Sequence, residues 1–306
     1  MNGAVEIRDV TKTFDRHVAV NDLALTVPTG SVYGFIGPNG SGKTTSLRMI
    51  MGIIYPDPGS GSMQVLGKPV SRAANDRVGY MPEERGLYNK MKVRDILRFC
   101  AELKGHRDCR GDIDDWLGRL GLGDWSDKKV EALSKGMTQK VQFIASVIAR
   151  PDILILDEPF TGLDPVNAEV VKDAILEVKR GGTTVILSTH DMNVAERMCD
   201  FIFMIFKGRK VLDGTLESIQ DAYASDTIRV RVEGNGDVFG DLPGVERVND
   251  FGHFQELRTT EQADPQAILH ALAARARIRL FELARPSLND IFVRIAGPEA
   301  QEAGHE

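Results

Sequence analysis

The sequence predicts an α/β protein with a mainly parallel, buried sheet, followed by a small α+β domain. Ile153-Leu154-Ile155-Leu156 and Thr184-Val185-Ile186-Leu187 are short, β-rich apolar runs separated by a helical stretch from Val166 to Lys179. Strands that alternate with helices at this spacing pack as a parallel sheet with both faces covered. The chain has 306 residues, more than one core usually holds, so about two domains are expected. The pattern then changes near Tyr223-Ala224-Ser225-Asp226, beyond which Ile228, Val230 and Val232 alternate as one strand.

From the N-terminus, Val5, Ile7 and Val10, then Leu23, Leu25 and Val27, read as strands. Pro28-Thr29-Gly30 is a turn before a third strand, Val32 to Ile36. Gly37 to Gly42 interrupts the pattern, and Lys43 to Gly52 reads as a helix. Residues 89–150 are mostly helical, with Val93 to Leu103 and Gly136 to Ala149 the best segments; this stretch holds 13 basic and 9 acidic residues. In the last part, Asp264-Pro265 forms an N-cap and N1 pair that opens a helix through Arg275. Ile278 to Leu283 is a strand, and Ser287-Leu288-Asn289-Asp290 resembles a capping box before a final short helix. The tail from Gly297 to Glu306 has three Glu and no Lys or Arg, and is expected to be disordered. The expected domains are therefore 1–222, with its helical part at 89–150, then 226–296 and the tail 297–306.

Composition narrows the class. The chain is 42% hydrophobic and 27% charged, ordinary for a globular protein. Its formal charge of −6 argues against a protein that coats nucleic acid. Apolar runs such as Phe201 to Phe206 fall far short of the ~20 residues of a membrane span. Met1 to Glu6 shows no basic or apolar leader, and Cys100, Cys109 and Cys199 lack CxxC spacing. A reducing, cytoplasmic setting is expected, with neither disulfide framework nor zinc site.

Four segments carry chemistry. Gly37-Pro38-Asn39-Gly40-Ser41-Gly42-Lys43-Thr44 fits G-x-x-x-x-G-K-[ST] between a strand and a helix. Its glycines let backbone N–H groups turn inward around an anion, and the helix that follows adds its positive end. Lys43 is placed for β/γ-phosphates and Thr44 for Mg²⁺. Ile153 to Leu156 ends in Asp157-Glu158. Neighbours on a strand point to opposite faces, so the two acids are expected to do different jobs: Asp157 toward the metal shell, Glu158 toward the attacking water. Leu133-Ser134-Lys135-Gly136-Met137-Thr138-Gln139 precedes a helix; taken alone it reads as an N-cap, or as a second anion-facing surface. The strand Thr183 to Thr189 ends in His190.

The order of these segments resembles the nucleotide-binding domain of ATP-binding cassette (ABC) transporters over roughly residues 4–220. Walker A is Gly37 to Thr44, Walker B with its glutamate is Ile153 to Glu158, and the signature is Leu133 to Met137. The D-loop is Gly162-Leu163-Asp164, and His190 is the switch histidine. The resemblance implies a P-loop NTPase fold of ABC type, with an antiparallel β subdomain and a helical subdomain beside the parallel core. It implies ATP and Mg²⁺ as ligands, with Phe14 stacked on adenine and Thr45 beside the phosphates. Two chains would meet head to tail as a homodimer, Ser134 and Gly136 facing the γ-phosphate in trans and Asp164 linking the two sites. Glu158 would orient or deprotonate water, and His190 would contact the γ-phosphate.

The chain departs from the family at two motifs. Lys135 and Met137 replace a glycine and the glutamine of LSGGQ, and Glu83 in Gly79-Tyr80-Met81-Pro82-Glu83-Glu84 stands where the Q-loop carries glutamine. Glu83 can still ligate Mg²⁺ or position water, while adding negative charge beside the phosphates. Both variants, with Pro286-Ser287-Leu288-Asn289-Asp290-Ile291-Phe292, resemble the ABC-2 exporter subfamily, which includes sodium- and drug-efflux ATPases. That resemblance implies an ATP-hydrolysing motor subunit, peripheral on the inner face of the cell membrane, that drives a separate permease. The surface around Glu83, Arg85 and Tyr88 would receive a cytoplasmic helix of that permease. The alternatives are a soluble ABC ATPase not coupled to transport and a regulatory cassette that only binds nucleotide.

Overall fold

The computed structural model describes residues 3–70, 76–84, 86–223, 227–233, 238–260 and 262–297. It divides into two compact units, Met1–Gly214 and Thr215–Glu306.

The first unit holds two sheets. Strands β1 (Gly3–Phe14), β2 (His17–Pro28), β4 (Ser62–Val65) and β5 (Lys68–Pro69) form an antiparallel sheet in the order β2-β1-β4-β5. The other sheet has the order β10-β9-β3-β8-β7-β6, with β3 at Val32–Ile36, β6 at Val78–Met81 and β7 at Ile153–Asp157. In it, β8 is Thr184–Thr189, β9 Phe201–Phe206 and β10 Arg209–Thr215. The pairs β9/β3, β3/β8, β8/β7 and β7/β6 are all parallel. Every residue of β3, β7 and β8 is buried, the mark of strands covered on both faces. Helix α1 (Lys43–Ile50) buries Leu47, Met49 and Ile50 in one core with Val5 and Ile7 from the antiparallel sheet and Phe35, Ile155 and Phe203 from the parallel one. The α/β class and the parallel core expected from the sequence are both present.

Helices α2 (Val93–Leu103), α3 (Arg110–Arg119) and α4 (Lys135–Val147) make the helical part. Helix α5 (Pro165–Arg180) joins β7 to β8, and α6 (Met192–Met198) joins β8 to β9. Phe201 to Phe206, read in the sequence only as too short to span a membrane, is a core strand beside β3. No helix among the described residues is long and apolar enough to cross a membrane.

The second unit begins with α7 (Leu216–Tyr223) and continues with a four-stranded antiparallel sheet in the order β12-β13-β11-β14. Here β11 is Thr227–Glu233, β12 Val245–Asp250, β13 Gln255–Thr259 and β14 Arg277–Leu283. Helix α8 (Pro265–Ala273) packs Ile268 and Leu272 onto Ile228, Val230 and Leu257, and α9 (Leu288–Ala296) closes the unit. Asp264 caps α8 with Pro265 in its first turn, and Ser287 and Asp290 form the capping box of α9. The unit starts at Thr215, ahead of the expected change at 222–226. The reason is α7: Arg285 pairs with its Glu217 and Asp221, and Gln220 Nε2 donates to Pro286 O at 3.1 Å. The expectation for the tail lies almost wholly outside the described residues, which end at Gly297.

Candidate nucleotide site

Parallel strands deliver their carboxyl ends to one edge of the sheet, where open α/β folds bind ligands. Along that edge, Ile36 pairs with Thr189, Asp157 with Ser188, and Met81 with Leu156. Gly37, His190, Asp157-Glu158 and Glu83 each follow or end one of these four strands.

The loop after β3 bends as only glycine allows. At Gly37 (φ 151°) a Cβ would lie 2.2 Å from Ile205 O; at Gly42 (φ 108°) it would lie 2.5 Å from Ala19 O. Both carry positive φ and touch backbone, so no side chain fits. Lys43 follows, 6% exposed, and its Nζ donates to Gly37 O at 2.7 Å and Pro38 O at 3.0 Å. Burial pulls its ammonium below the ordinary lysine value, and the charges of Glu158, Asp157 and Glu83 push back. The buried ammonium is thus balanced by two backbone carbonyls and three nearby acids.

Thr44 Oγ1 donates to Asp157 Oδ2 at 3.0 Å. The other oxygen of that carboxylate, Oδ1, is buried without a hydrogen-bond partner among the described residues. A buried orphan acceptor beside a hydroxyl suits a hard cation. Among the described residues there is no ready-made cluster of three metal-ligating side chains.

Glu158 differs from the expectation that it continues the strand. Its φ is +49°, so the chain turns immediately after Asp157 and both acids line the same cleft. Its N–H donates to Ser188 O at 3.0 Å. Its Oε1 accepts from the His190 N–H at 2.9 Å and lies 2.8 Å from His190 Nδ1, and Thr189 Oγ1 donates to Oε2 at 3.4 Å.

The cleft holds about 370 Å³. Residues Asn39, Gly40, Ser41, Gly42, Lys43, Thr44 and Thr45 line one side, with Glu83, Asp157 and Glu158. Phe14 lies at its mouth, 44% exposed. His17 and Ala19 also line it, and the sequence reading missed them. Their signal is the tight hairpin that pairs Phe14 with His17 across β1 and β2. Gly37 and Pro38 contribute the carbonyls that hold Lys43.

The remaining expected residues are outside this lining. His190 reaches it through Glu158. Ser134 caps α4, accepting from the Met137 N–H at 3.3 Å. Gly136 is so close to the D-loop that a Cβ there would sit 3.4 Å from Leu163 Cδ2, and Gln139 Nε2 donates to Pro159 O at 3.1 Å. Asp164 caps α5, and hydrogen bonds from the Asn167 backbone and side chain hold its carboxyl below the usual range. Arg85 lies outside the described residues, while Tyr88 is exposed against Phe99.

Comparison with known proteins identifies the family. The family "ABC transporter" matches residues 20–161, and "ATP-binding protein DrrA1-3-like, C-terminal domain" matches 214–296, close to the second unit. A third family, "AAA domain, putative AbiEii toxin, Type IV TA system", matches 127–196, overlapping the first. An uncharacterized ABC transporter ATP-binding protein, YhaQ of Bacillus subtilis (strain 168), is 39% identical over 95% of this chain and 98% of its own length. A Nod factor export ATP-binding protein I of Rhizobium sp. (strain N33) is 33% identical over 97% of this chain and 98% of its own. A solved ATP binding subunit of an ABC transporter superposes with TM-score 0.67 at 28% identity, covering 72% of this chain and 93% of that one. Near-full-length identity at this level, on a P-loop edge built as described, places the chain in the family of ABC transporter ATP-binding proteins.

Proposed function

We propose that this ATP-binding subunit hydrolyses ATP as the motor of a two-component exporter, closing as a homodimer around nucleotide to drive a separate permease of ABC-2 type. The observation that carries the reading is the turn at Glu158, which brings it beside Asp157 in the P-loop cleft. The names of the Nod factor export relatives support export; their cargo remains theirs.

On this reading the loop N–H groups and Lys43 hold the β- and γ-phosphates, and Phe14 stacks on adenine. Lys43 would leave the Gly37 and Pro38 carbonyls for phosphate oxygens. Bound Mg²⁺ would neutralise phosphate charge, and Thr44, Asp157 and Glu83 are the residues to hold it. Glu158 takes the proton of the attacking water, with His190 fixing its carboxylate and facing the γ-phosphate. Ser134 and Gly136 complete the site from a second copy, and Asp164 couples the two sites. Closure around ATP and reopening after hydrolysis turn phosphate chemistry into motion at the permease. The subunit would then sit on the inner face of the cell membrane through that partner.

The test is Glu158→Gln. Turnover should fall by roughly 10²–10⁴, the range for loss of a general base, while ATP still binds. Wild-type-like turnover removes Glu158 from the role. If the wild-type chain binds ATP but never hydrolyses it, a regulatory cassette is the better reading.

A further inference from the structure

A separate, basic cavity lies in the helical part of the first unit. It holds about 180 Å³, and four arginines line it, Arg94, Arg98, Arg107 and Arg110, against one acid, Asp108. Arg94 and Arg98 are one turn apart on α2 and share a face. Arg110 opens α3, and Arg107 lies in the segment between the helices. Only the α2–α3 hairpin brings them together.

Two of the four are held in place. Arg94 Nε donates to Ser126 Oγ at 2.8 Å and its guanidinium pairs with Asp114 at 3.0 Å. Arg98 pairs with Asp95 at 3.0 Å. Arg107 and Arg110 are exposed and have no ion pair among the described residues. Two guanidinium groups held by neighbours and two exposed ones without an ion pair among the described residues therefore surround one cavity. Planar guanidinium forks match phosphoryl oxygens in pairs. The first turn of α3 forms a wall, its N-cap Cys109 makes no side-chain cap bond, and its N–H groups add to the positive potential. The cavity is well below the ~300 Å³ of small-molecule pockets, so it has room for a phosphoryl group and not for a nucleotide.

We propose that this cavity binds a phosphate monoester dianion, free or as the headgroup of an anionic lipid. The paired arginines set its position, and Arg107 and Arg110 close over it.

The experiment uses the full chain with the nucleotide cleft filled by a non-hydrolysable ATP analogue, so that the P-loop does not compete. Inorganic phosphate is titrated calorimetrically. In a second arm the protein is sedimented with phosphatidylcholine vesicles with and without phosphatidic acid. The double variant Arg107→Gln/Arg110→Gln is compared with Arg8→Gln/Arg209→Gln, which removes two exposed arginines of the same unit elsewhere. Loss of two charge-assisted contacts should weaken binding by roughly 10²–10⁴-fold, and the matched control should leave it unchanged. A selective loss in the phosphate arm alone identifies the free anion. A selective loss on phosphatidic acid vesicles identifies the headgroup. Binding in neither arm, or equal binding by wild type and the Arg107/Arg110 variant, overturns the proposal, as does an equal loss in the control.

Discussion

Glu158 and Asp112 are two carboxylates that the fold treats in opposite ways. Glu158 sits in the left-handed region, which costs a non-glycine residue about 1–2 kcal/mol. Ser188 O and His190 hold it there, on the lining of the P-loop cleft; on the proposed reading that strain serves the site. Asp112, on α3, is tied to His106 and Arg150. Partial burial raises its carboxyl, but hydrogen bonds from Arg150 (2.8 Å) and His106 (2.7 Å), with their charges, outweigh this and leave it below the ordinary 3.8. A carboxyl depressed in the folded state binds fewer protons there than in the unfolded chain. Its contribution is therefore complete above 3.8 and lost as pH falls through the lower folded value. Asp112→Asn should cost ~0.5–1 kcal/mol at neutral pH, as for a partly exposed ion pair. Its urea midpoint should approach the wild-type value as the solution is acidified below 3.8. A gap independent of pH would assign the loss to packing.

At the scale of elements, legibility followed burial and length. Val32–Ile36, Ile153–Asp157 and Thr184–Thr189 were readable because buried parallel strands are unbroken apolar runs. The nucleotide cleft was readable because its loop and two of its acids are contiguous with those strands. Strand β6 was not: it has four residues, one of them Gly79, too short for periodicity to register. Helix α3 buries only Ile113 and Leu117, and its polar remainder hides its bounds. His17 joined the cleft through strand pairing, and the arginine cavity through a helical hairpin; one-dimensional spacing encodes neither. Gly79 has a packing reason. A Cβ there would lie 2.2 Å from Ser146 O on α4 and 3.0 Å from Pro151 Cγ. Neither neighbour can swing away, so Gly79→Ala should destabilise the fold by roughly 1–3 kcal/mol, seen as a lower urea midpoint. An unchanged midpoint would mean that β6 and α4 can separate at no cost.

For the whole molecule, the decisive fact is what one chain does not gather in its own cleft. Ser134, Gly136 and Asp164 lie outside the lining, on exposed helix starts whose neighbour Val166 is 75% exposed. Helix N-termini suit phosphate. In a two-fold dimer each patch meets the other chain's counterpart twice, so one copy's signature can complete the other's cleft. Mixing two inactive variants tests this directly. Lys43→Ala disables a P-loop and leaves its signature intact; Ser134→Arg does the reverse. Each homodimer should be inactive, whereas a mixed dimer holds one intact site. Random pairing of equal amounts should restore about a quarter of wild-type ATPase activity if the sites act independently. Activity should also fall faster than linearly on dilution if, as proposed, the active species is the pair. No recovery on mixing, with rates strictly proportional to concentration, would mean that each chain completes its own site.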